Sequence, residues 1–488
     1  MTTPARLRDA LLAADFTHDA VVETLGPLAH AALGRNETTP GLRATGGGSP
    51  METLIRLFLL QRPVDEAAAE RALPGLLGDL ADTGMLTVTS GQVRARLDCR
   101  PYATSDAPGD RDLWVVADLT PGMDGARVEV GAEYVLGISP ASTSLAQLTM
   151  RGPVHRALDL GTGCGVQALH LSAHADEVVA TDVNPRALEL ARFNATLNDV
   201  EYDVRDGSLF EPVAGERFDL IVTNPPFVIS PATGDRLVYR DSGLPGDQVV
   251  ERIVLDAPAH LTDGGWLQVL ANWAILRDRP WDERVAEWLR PGDDALVVQR
   301  EVLDPAAYVE LWLKDAGLDG TDGYLAAYDG WLGWLESQGI EGIGFGWINL
   351  RAQGGGSREL LEWPYDVEQP IAPAIAEWGA AAHLGRDLAG RRLVARADLV
   401  QETQGPPGAE DPATVVIRQQ RGFRRARQVD TVEAALIGAC DGDLTIAQIL
   451  DALATILERE PADLSTSCLP VVGDLVREGF LEADHEGR

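Results

Sequence analysis

Between residues 156 and 290 the spacing of hydrophobic positions switches back and forth between two patterns. Short continuous apolar runs, such as Ala157-Leu158 before Asp159 and Leu220-Ile221-Val222, alternate with stretches whose apolar side chains recur every three or four residues. The runs predict strands at 156–160, 178–182, 201–204, 218–224 and 265–271. The periodic stretches predict helices at 165–174, 185–197, 246–261 and 281–290, with a strand pair near 295–301 and 342–350. Strands that are apolar on both faces, each followed by a helix, demand an α/β fold: a Rossmann-like parallel sheet with helices on both faces and right-handed crossovers. Ligand-binding residues are then expected where the strands end, and Asp159, Asp182, Asp206 and Asn224 all fall there.

The flanks read differently. Helical spacing predicts helices over 4–14, 18–33 and 51–60, with a loop at 35–50. Short helices and a hairpin around 84–88 complete a winged-helix-like pattern. Its helices are not notably basic, so contact or scaffold work is expected ahead of nucleic-acid docking. Residues 93–135 turn to strands, at Leu113–Asp118 and Ala126–Val130. Beyond 358 come a helix at 371–383, a strand at 392–397 and a second winged-helix-like, mostly helical unit over 432–483. The expected domains are therefore 1–95, 96–150, 151–352 and 353–488.

The chemistry concentrates between Ala157 and Ser230. The strand ending at Leu160 runs into Gly161-Thr162-Gly163-Cys164-Gly165, at the start of a helix. Glycines there let the backbone approach a ligand, and the helix N-terminus offers free N–H groups. Asp182, about 20 residues on at the next strand's end, is placed to hold the two hydroxyls of a ribose. The fourth strand ends in Asn224-Pro225-Pro226-Phe227. Ser142 or Thr143 is the expected N-cap of the helix that precedes this region.

Over roughly residues 130 to 275 the chain resembles the class I S-adenosylmethionine (SAM) methyltransferases, and within them the Asn-Pro-Pro-aromatic amino-methyltransferases. Asp159-x-Gly161-x-Gly163-x-Gly165 looks like their first motif and Asn224-Pro225-Pro226-Phe227 like their catalytic one. The release-factor glutamine and ribosomal guanine-N2 methyltransferases are similar in wording. The former usually end the motif in Tyr; the latter often follow Phe with His, where this chain has Val228. The resemblance implies SAM as cofactor, held by Asp159, Gly161, Thr162, Gly163, Gly165, Asp182, Asn184, Asp206 and Asn224. It implies that the 136–145 segment closes over the methionine end. Asn224, Pro225, Pro226 and Phe227 would carry catalysis: two oxygen acceptors orient a planar nitrogen, and the Phe227 ring stacks on the substrate. Tyr239, Arg240 and Trp273 are the expected substrate contacts beside Phe227. An N-methyltransferase acting on a macromolecule, either a glutamine side chain of a translation protein or a ribosomal RNA base, is the leading expectation. Methylation of a small natural product or modified peptide is the alternative, and a non-catalytic SAM-binding scaffold the alternative from another class.

Composition sharpens this only in part. A net charge of −34 disfavours binding nucleic acid through the overall field. Yet Arg418, Arg421, Arg424, Arg425 and Arg427 form a basic strip that reads equally as a phosphate contact or as neutralisation of nearby acids. The four cysteines are dispersed without a Cys-x-x-Cys pair, so neither a metal site nor disulfides are expected. The sequence has no apolar run long enough to span a bilayer and no signal pattern, which predicts a cytoplasmic protein without membrane partners. Ten of eleven tryptophans lie at Trp266 or later, and the helix-spaced pair Trp331 and Trp334 is expected in a core.

Overall fold

The alternating stretch closes into one sheet in a computed structural model, which describes residues 2–104, 111–126, 131–231, 243–384, 387–407 and 412–483. Its strands are β1 (Val154–Leu160), β2 (Ala175–Asp182), β3 (Asp203–Asp206), β4 (Phe218–Thr223), β5 (Leu261–Leu276), β6 (Asp294–Leu303) and β7 (Ile340–Arg351). They lie in the order β3-β2-β1-β4-β5-β7-β6. The pairs β1–β2, β2–β3, β1–β4 and β4–β5 are parallel. Gln268 bonds Asn349 and Arg277 bonds Glu341, so β7 runs antiparallel to β5. The helices are α1 (Val166–Leu171), α2 (Pro185–Leu197), α3 (Gln248–Asp256), α4 (Trp281–Ala286), and α5 (Pro305–Asp315) with α6 (Tyr324–Ser337) between β6 and β7.

Register places the site. Leu160 pairs with Thr181 on one side and Thr223 on the other. The next residues along the three strands, Gly161, Asp182 and Asn224, therefore leave the sheet side by side. This is the point where the strand order reverses, and a crevice opens there because the following chains depart to opposite faces.

The chain divides into two compact units. The first comprises Met1–Ala146, Arg151–Arg290 and Val297–Leu350. The expected N-terminal module is built into it rather than hung from it. One buried cluster runs from Leu7, Phe16 and Phe58, through Trp114 and Val116, to Val166, Leu169 and Leu190 on α1 and α2. The module has helices Thr3–Ala13 and His18–Leu33, the latter broken at Gly26 (φ 69°) ahead of Pro27. A three-stranded sheet joins Val64–Asp65, Gln92–Ala95 and Leu86–Thr89. The stretch expected as a loop at 35–50 contains a helix, Thr39–Ala44. Gly41 on it packs so tightly on Leu60 that a Cβ would lie 2.7 Å from its Cδ2.

The strand Arg111–Asp118 pairs with Leu97–Thr104 and meets α2 on its other edge. There asparagines replace a neighbouring strand. Asn194, fully buried, accepts from Val116 N (2.8 Å) and donates to Val116 O (2.9 Å) and Cys164 O (2.8 Å). One turn later Asn198 makes the same reciprocal pair with Trp114 (2.8 Å each way). The expected strand Ala126–Val130 falls largely outside the described residues.

The second unit comprises Gln147–Met150, Pro291–Leu296 and Arg351–Arg488. Helices Thr431–Ala439, Ile446–Ile456 and Pro461–Arg477 pack on a small sheet of Asp441–Thr445, Arg392–Ala395 and Leu481–Ala483. The mostly helical stretch expected over 432–483 thus holds these helices and two of the three strands, while the central strand, Arg392–Ala395, comes from earlier in the chain. The basic strip resolves into ion pairs: Arg418 with Glu402 (2.8 Å), Arg425 with Glu359 (3.0 Å) and Arg427 with Glu478 (3.0 Å). Arg425 also lies over the Trp363 and Phe423 rings. Three of the five arginines thus neutralise local acids, as the second of the two readings expects. No described helix is long and apolar enough to cross a membrane.

Candidate functional site

The glycine turn after β1 is tied down from three directions. Gly161 N and Thr162 N both donate to Thr181 O (2.9 and 2.8 Å), and Gly163 N donates to the Asp182 carboxylate (2.9 Å). Asp159, almost wholly buried, accepts from Thr162 Oγ1 (2.5 Å) and Ala168 N (3.0 Å). It thereby clamps the turn to the first turn of α1. Burial pushes its carboxyl up to about 7, against the two hydrogen bonds that favour the charged form. Through Oδ2 Asp159 builds the turn from below, and it is also part of the cleft lining.

Gly161 (φ 74°) and Gly163 (φ 55°) are left-handed, and a Cβ on either would meet no protein atom within 4 Å. The space over them is open cleft. Gly165 (φ 89°) serves differently: its Cβ would lie 2.5 Å from Tyr202 Oη and 3.4 Å from the Ala191 backbone. Close packing of α1 on α2 demands this glycine, so its expected part in cofactor approach is corrected to a structural one.

The cleft holds about 330 Å³. Its floor is Gly161, Thr162 and Gly163, and one end is Asp182, Val183 and Asn184. Asp182 Oδ1 accepts from Asn184 N (2.9 Å), and burial raises its carboxyl from the ordinary value. Asn184 caps α2 by accepting from Arg186 N (3.1 Å) and donates to Glu133 O (3.0 Å). Arg186 in turn grips Asp118 with two N–H groups. Asp206, one of the expected cofactor contacts, is exposed, and Gly207, Ser208 and Leu209 line the cleft in its place. Gly207 turns the chain inward there, donating to Asp182 O (3.1 Å) while packed against Pro212.

The other end is formed by Leu136, Gly137, Ser139 and Ser142, with Gln167 from α1. Ser139, not Ser142 or Thr143, caps the Pro140–Leu148 helix. Ser142 N donates to its Oγ (3.1 Å), and Ser139 N donates back to Ser142 Oγ (2.8 Å). Gln167 was not legible as a site residue. Its Nε2 donates to Ser142 O (2.7 Å), while its buried Oε1 has no partner among the described residues. Its one signal was a polar side chain two residues after the glycine turn, among the apolar Val166, Ala168 and Leu169.

Asn224, Pro225 and Pro226 make the wall opposite the glycine turn. Asn224 Oδ1 is buried without a hydrogen-bond partner among the described residues. Leaving such an oxygen unpaired costs about 1–3 kcal/mol, which a ligand N–H would recover. Phe227 is half-buried and stands beyond the cleft lining. The following segment is bolted in place by the 305–337 insert: Ile229 N donates to Tyr308 Oη (2.8 Å) and Trp331 Nε1 donates to Ile229 O (3.0 Å). Tyr239 and Arg240 lie outside the described residues. Trp273 cannot touch substrate. It is fully buried, stacks on Trp281 (5.4 Å) and donates to Gln299 Oε1 (2.9 Å), beneath Gly344 and Gly346 of β7.

The crevice, the glycine turn and the Asn-Pro-Pro wall define a class, and residues 137–279 match the family described as methyltransferase small domain. That segment is a class I methyltransferase domain. Among known relatives, the chain is 37% identical over 131 residues to a release factor glutamine methyltransferase of Xylella fastidiosa, covering 24% of this chain and 47% of that protein. It is 36% identical over 154 residues to a ribosomal protein uL3 glutamine methyltransferase of Bradyrhizobium diazoefficiens (29% and 48%). It is 30% identical over 191 residues to a ribosomal RNA small subunit methyltransferase C of Erwinia tasmaniensis (37% and 48%). The chain thus spans about half the length of these relatives. Residues 13–96 and 375–483 each match a domain of unknown function.

Proposed function

We propose that this protein is a SAM-dependent N-methyltransferase that modifies a planar amide or amino nitrogen of a macromolecule, a glutamine side chain or an RNA base. The unpaired Asn224 Oδ1 in the cleft wall carries this reading. When bound, SAM supplies an electrophilic methyl on a positively charged sulfur. Gly161 and Gly163 leave the room it needs, and Asp182 stands where ribose hydroxyls would find an acceptor. Gln167 Oε1, also unpaired, is suited to the ammonium of the methionine end.

A planar nitrogen is a poor nucleophile because its lone pair is conjugated. Asn224 Oδ1 and the Pro225 carbonyl each accept one of its N–H groups, which aims the lone pair at the methyl. The same oxygens stabilise the positive charge that grows on nitrogen during transfer. Proline at 225 and 226 adds no competing N–H and holds the carbonyl rigidly. Phe227 offers a flat face on the substrate side. A scaffold that only bound SAM would have no use for the unpaired acceptor.

Two variants test the assignment, with SAM affinity by calorimetry and tritium transfer from labelled SAM into extract of a strain lacking the protein. Asn224→Ala should keep SAM affinity within about threefold and lower transfer by about 100-fold or more. Gln167→Leu should weaken SAM by roughly tenfold, as the loss of one buried hydrogen bond to a charged group predicts. Equal loss of binding and transfer in Asn224→Ala would refute the role given to it. Label released by neither RNase nor protease would move the substrate to the small molecules.

A further inference from the structure

The Asn-Pro-Pro wall is a short stiff span held at both ends. At one end Asn224 leaves the sheet directly after Thr223. That residue is fixed by its place between Leu160 and Val269 and by its own hydroxyl, which donates to Leu160 O (2.7 Å). Two prolines of fixed backbone follow, then Phe227 and the buried Val228 and Ile229. Ile229, five residues past Asn224, is the other end.

That far end is gripped by side chains of the insert between β6 and β7. Ile229 donates its N–H to Tyr308 Oη (2.8 Å), and its carbonyl accepts from Trp331 Nε1 (3.0 Å). One aromatic from each of α5 and α6 thus takes the two backbone groups that a neighbouring strand would take. Local sequence sets Tyr308: Asp304 caps α5 by accepting from Ala307 N (2.9 Å), Pro305 opens the helix, and Tyr308 lies in its first turn. The Tyr308 ring stands edge-on to Trp312 (6.1 Å) and Trp331 (6.3 Å) and tilted on Phe345 (5.8 Å), which fixes where its hydroxyl stands. The same hydroxyl meets Asn272 Nδ2 (3.4 Å) on β5, the strand that pairs with β4.

We propose that Tyr308 and Trp331 are positioning residues for methyl transfer: by fixing Ile229 they set where Asn224 Oδ1 and the Pro225 carbonyl stand. Neither belongs to the cleft lining, so both act through the span. Prolines cannot absorb a displacement of Ile229 by rotating about N–Cα, and a shift there reaches the two acceptors. In-line transfer is sensitive to such a shift, since a misplacement of about 1 Å set off far from the chemistry can cost about 100-fold in rate. The inference rests on the reading of Asn224 and Pro225 as the acceptors that orient the nitrogen.

The test uses the full chain, tritium-labelled SAM, and extract of a strain lacking the protein as acceptor. Initial transfer rates are followed over a dilution series of extract at saturating SAM. Tyr308→Phe keeps the ring and removes the hydroxyl; Trp331→Phe keeps a ring and removes the donor. Each should bind SAM within about twofold of the natural protein by calorimetry, which shows the fold intact. Each should lose about tenfold in maximal rate while the half-saturating amount of extract stays unchanged. Ile343→Ala, in the same buried cluster, leaves both hydrogen bonds to Ile229 in place. It should lower the thermal midpoint at least as far as Tyr308→Phe yet keep the rate within about twofold. In an Asn224→Ala background, where one acceptor is already gone, Tyr308→Phe should lower the residual rate by less than about threefold. Natural rates in both Phe variants, beside an inactive Asn224→Ala, overturn the positioning role and leave Asn224 as proposed. A rate loss in Ile343→Ala equal to that in Tyr308→Phe overturns it too, as does a shift in half-saturating extract without a fall in maximal rate. If Tyr308→Phe does not fold, Trp331→Phe decides by the same readouts. Transfer at the natural rate by Asn224→Ala refutes the acceptor reading and takes the positioning role with it.

Discussion

Asn224 and Asp159 illustrate how one cleft uses polar residues in opposite ways. Asn224 keeps a buried acceptor empty and so waits for a donor, whereas Asp159 Oδ2 already accepts from Thr162 and Ala168. The Asp159 carboxyl, held up to about 7 by burial, gives the fold a pH signature. Unfolding frees the carboxyl to return to about 3.8, so the folded state holds the extra proton between those values. Stability contributed by this group is present below about pH 4 and declines as pH rises to about 7. Asp159→Asn cannot ionise yet retains an oxygen for Thr162 and Ala168. Its thermal midpoint should fall less between pH 5 and pH 8 than that of the natural protein. A midpoint with the same pH slope in both would show that another group is responsible.

At the scale of elements, α2 does more than cover the sheet. Asn194 and Asn198, one turn apart on a single helix face, present amide groups to Val116 and Trp114 as a strand would. The strand Arg111–Asp118 thus has its outer edge satisfied without a further strand. Asn194 also holds the Cys164 carbonyl, which links this edge to the glycine turn. Asn194→Ala strands one buried N–H and two carbonyls, at a cost of about 3 kcal/mol or more. Denaturant unfolding should show that loss, and SAM affinity should fall with it because the turn loses its support. Asn198→Ala, in a half-buried position, should cost less.

At the scale of the molecule, the N-terminal module and the sheet share their interior. Phe58, Trp114 and Leu190 belong to one buried cluster, and Trp114 Nε1 donates to Phe16 O (2.7 Å). Removing residues 1–95 would therefore bare the inner face of α1 and α2 instead of releasing an independent catalytic domain. Expressed alone, residues 96–352 should aggregate or bind a hydrophobic dye, even though every proposed catalytic residue is present. A soluble, cooperatively folding 96–352 fragment would contradict the shared core. The second unit has its own core around Leu393, Ile449, Val472 and Phe480 and its own ion pairs.

Local physics settles what the sequence could reveal alone. Continuous apolar runs and period-3.6 patterns, with Pro185 opening α2 and glycines following β1, place strand after helix along the chain because each element answers mainly to its own neighbours. Asn224-Pro225-Pro226 at a strand end was readable for the same reason. What only the tertiary structure decided are the matters of which distant groups meet. Trp273 went to the core because Gly344 and Gly346, some 70 residues away, leave a slot for its ring. Three arginines of the basic strip were claimed by acids on other elements. Gln167 became part of the cleft because Ser142 O takes one of its amide hydrogens and leaves its oxygen bare. Such pairings depend on long-range geometry, and no periodicity in the sequence records them.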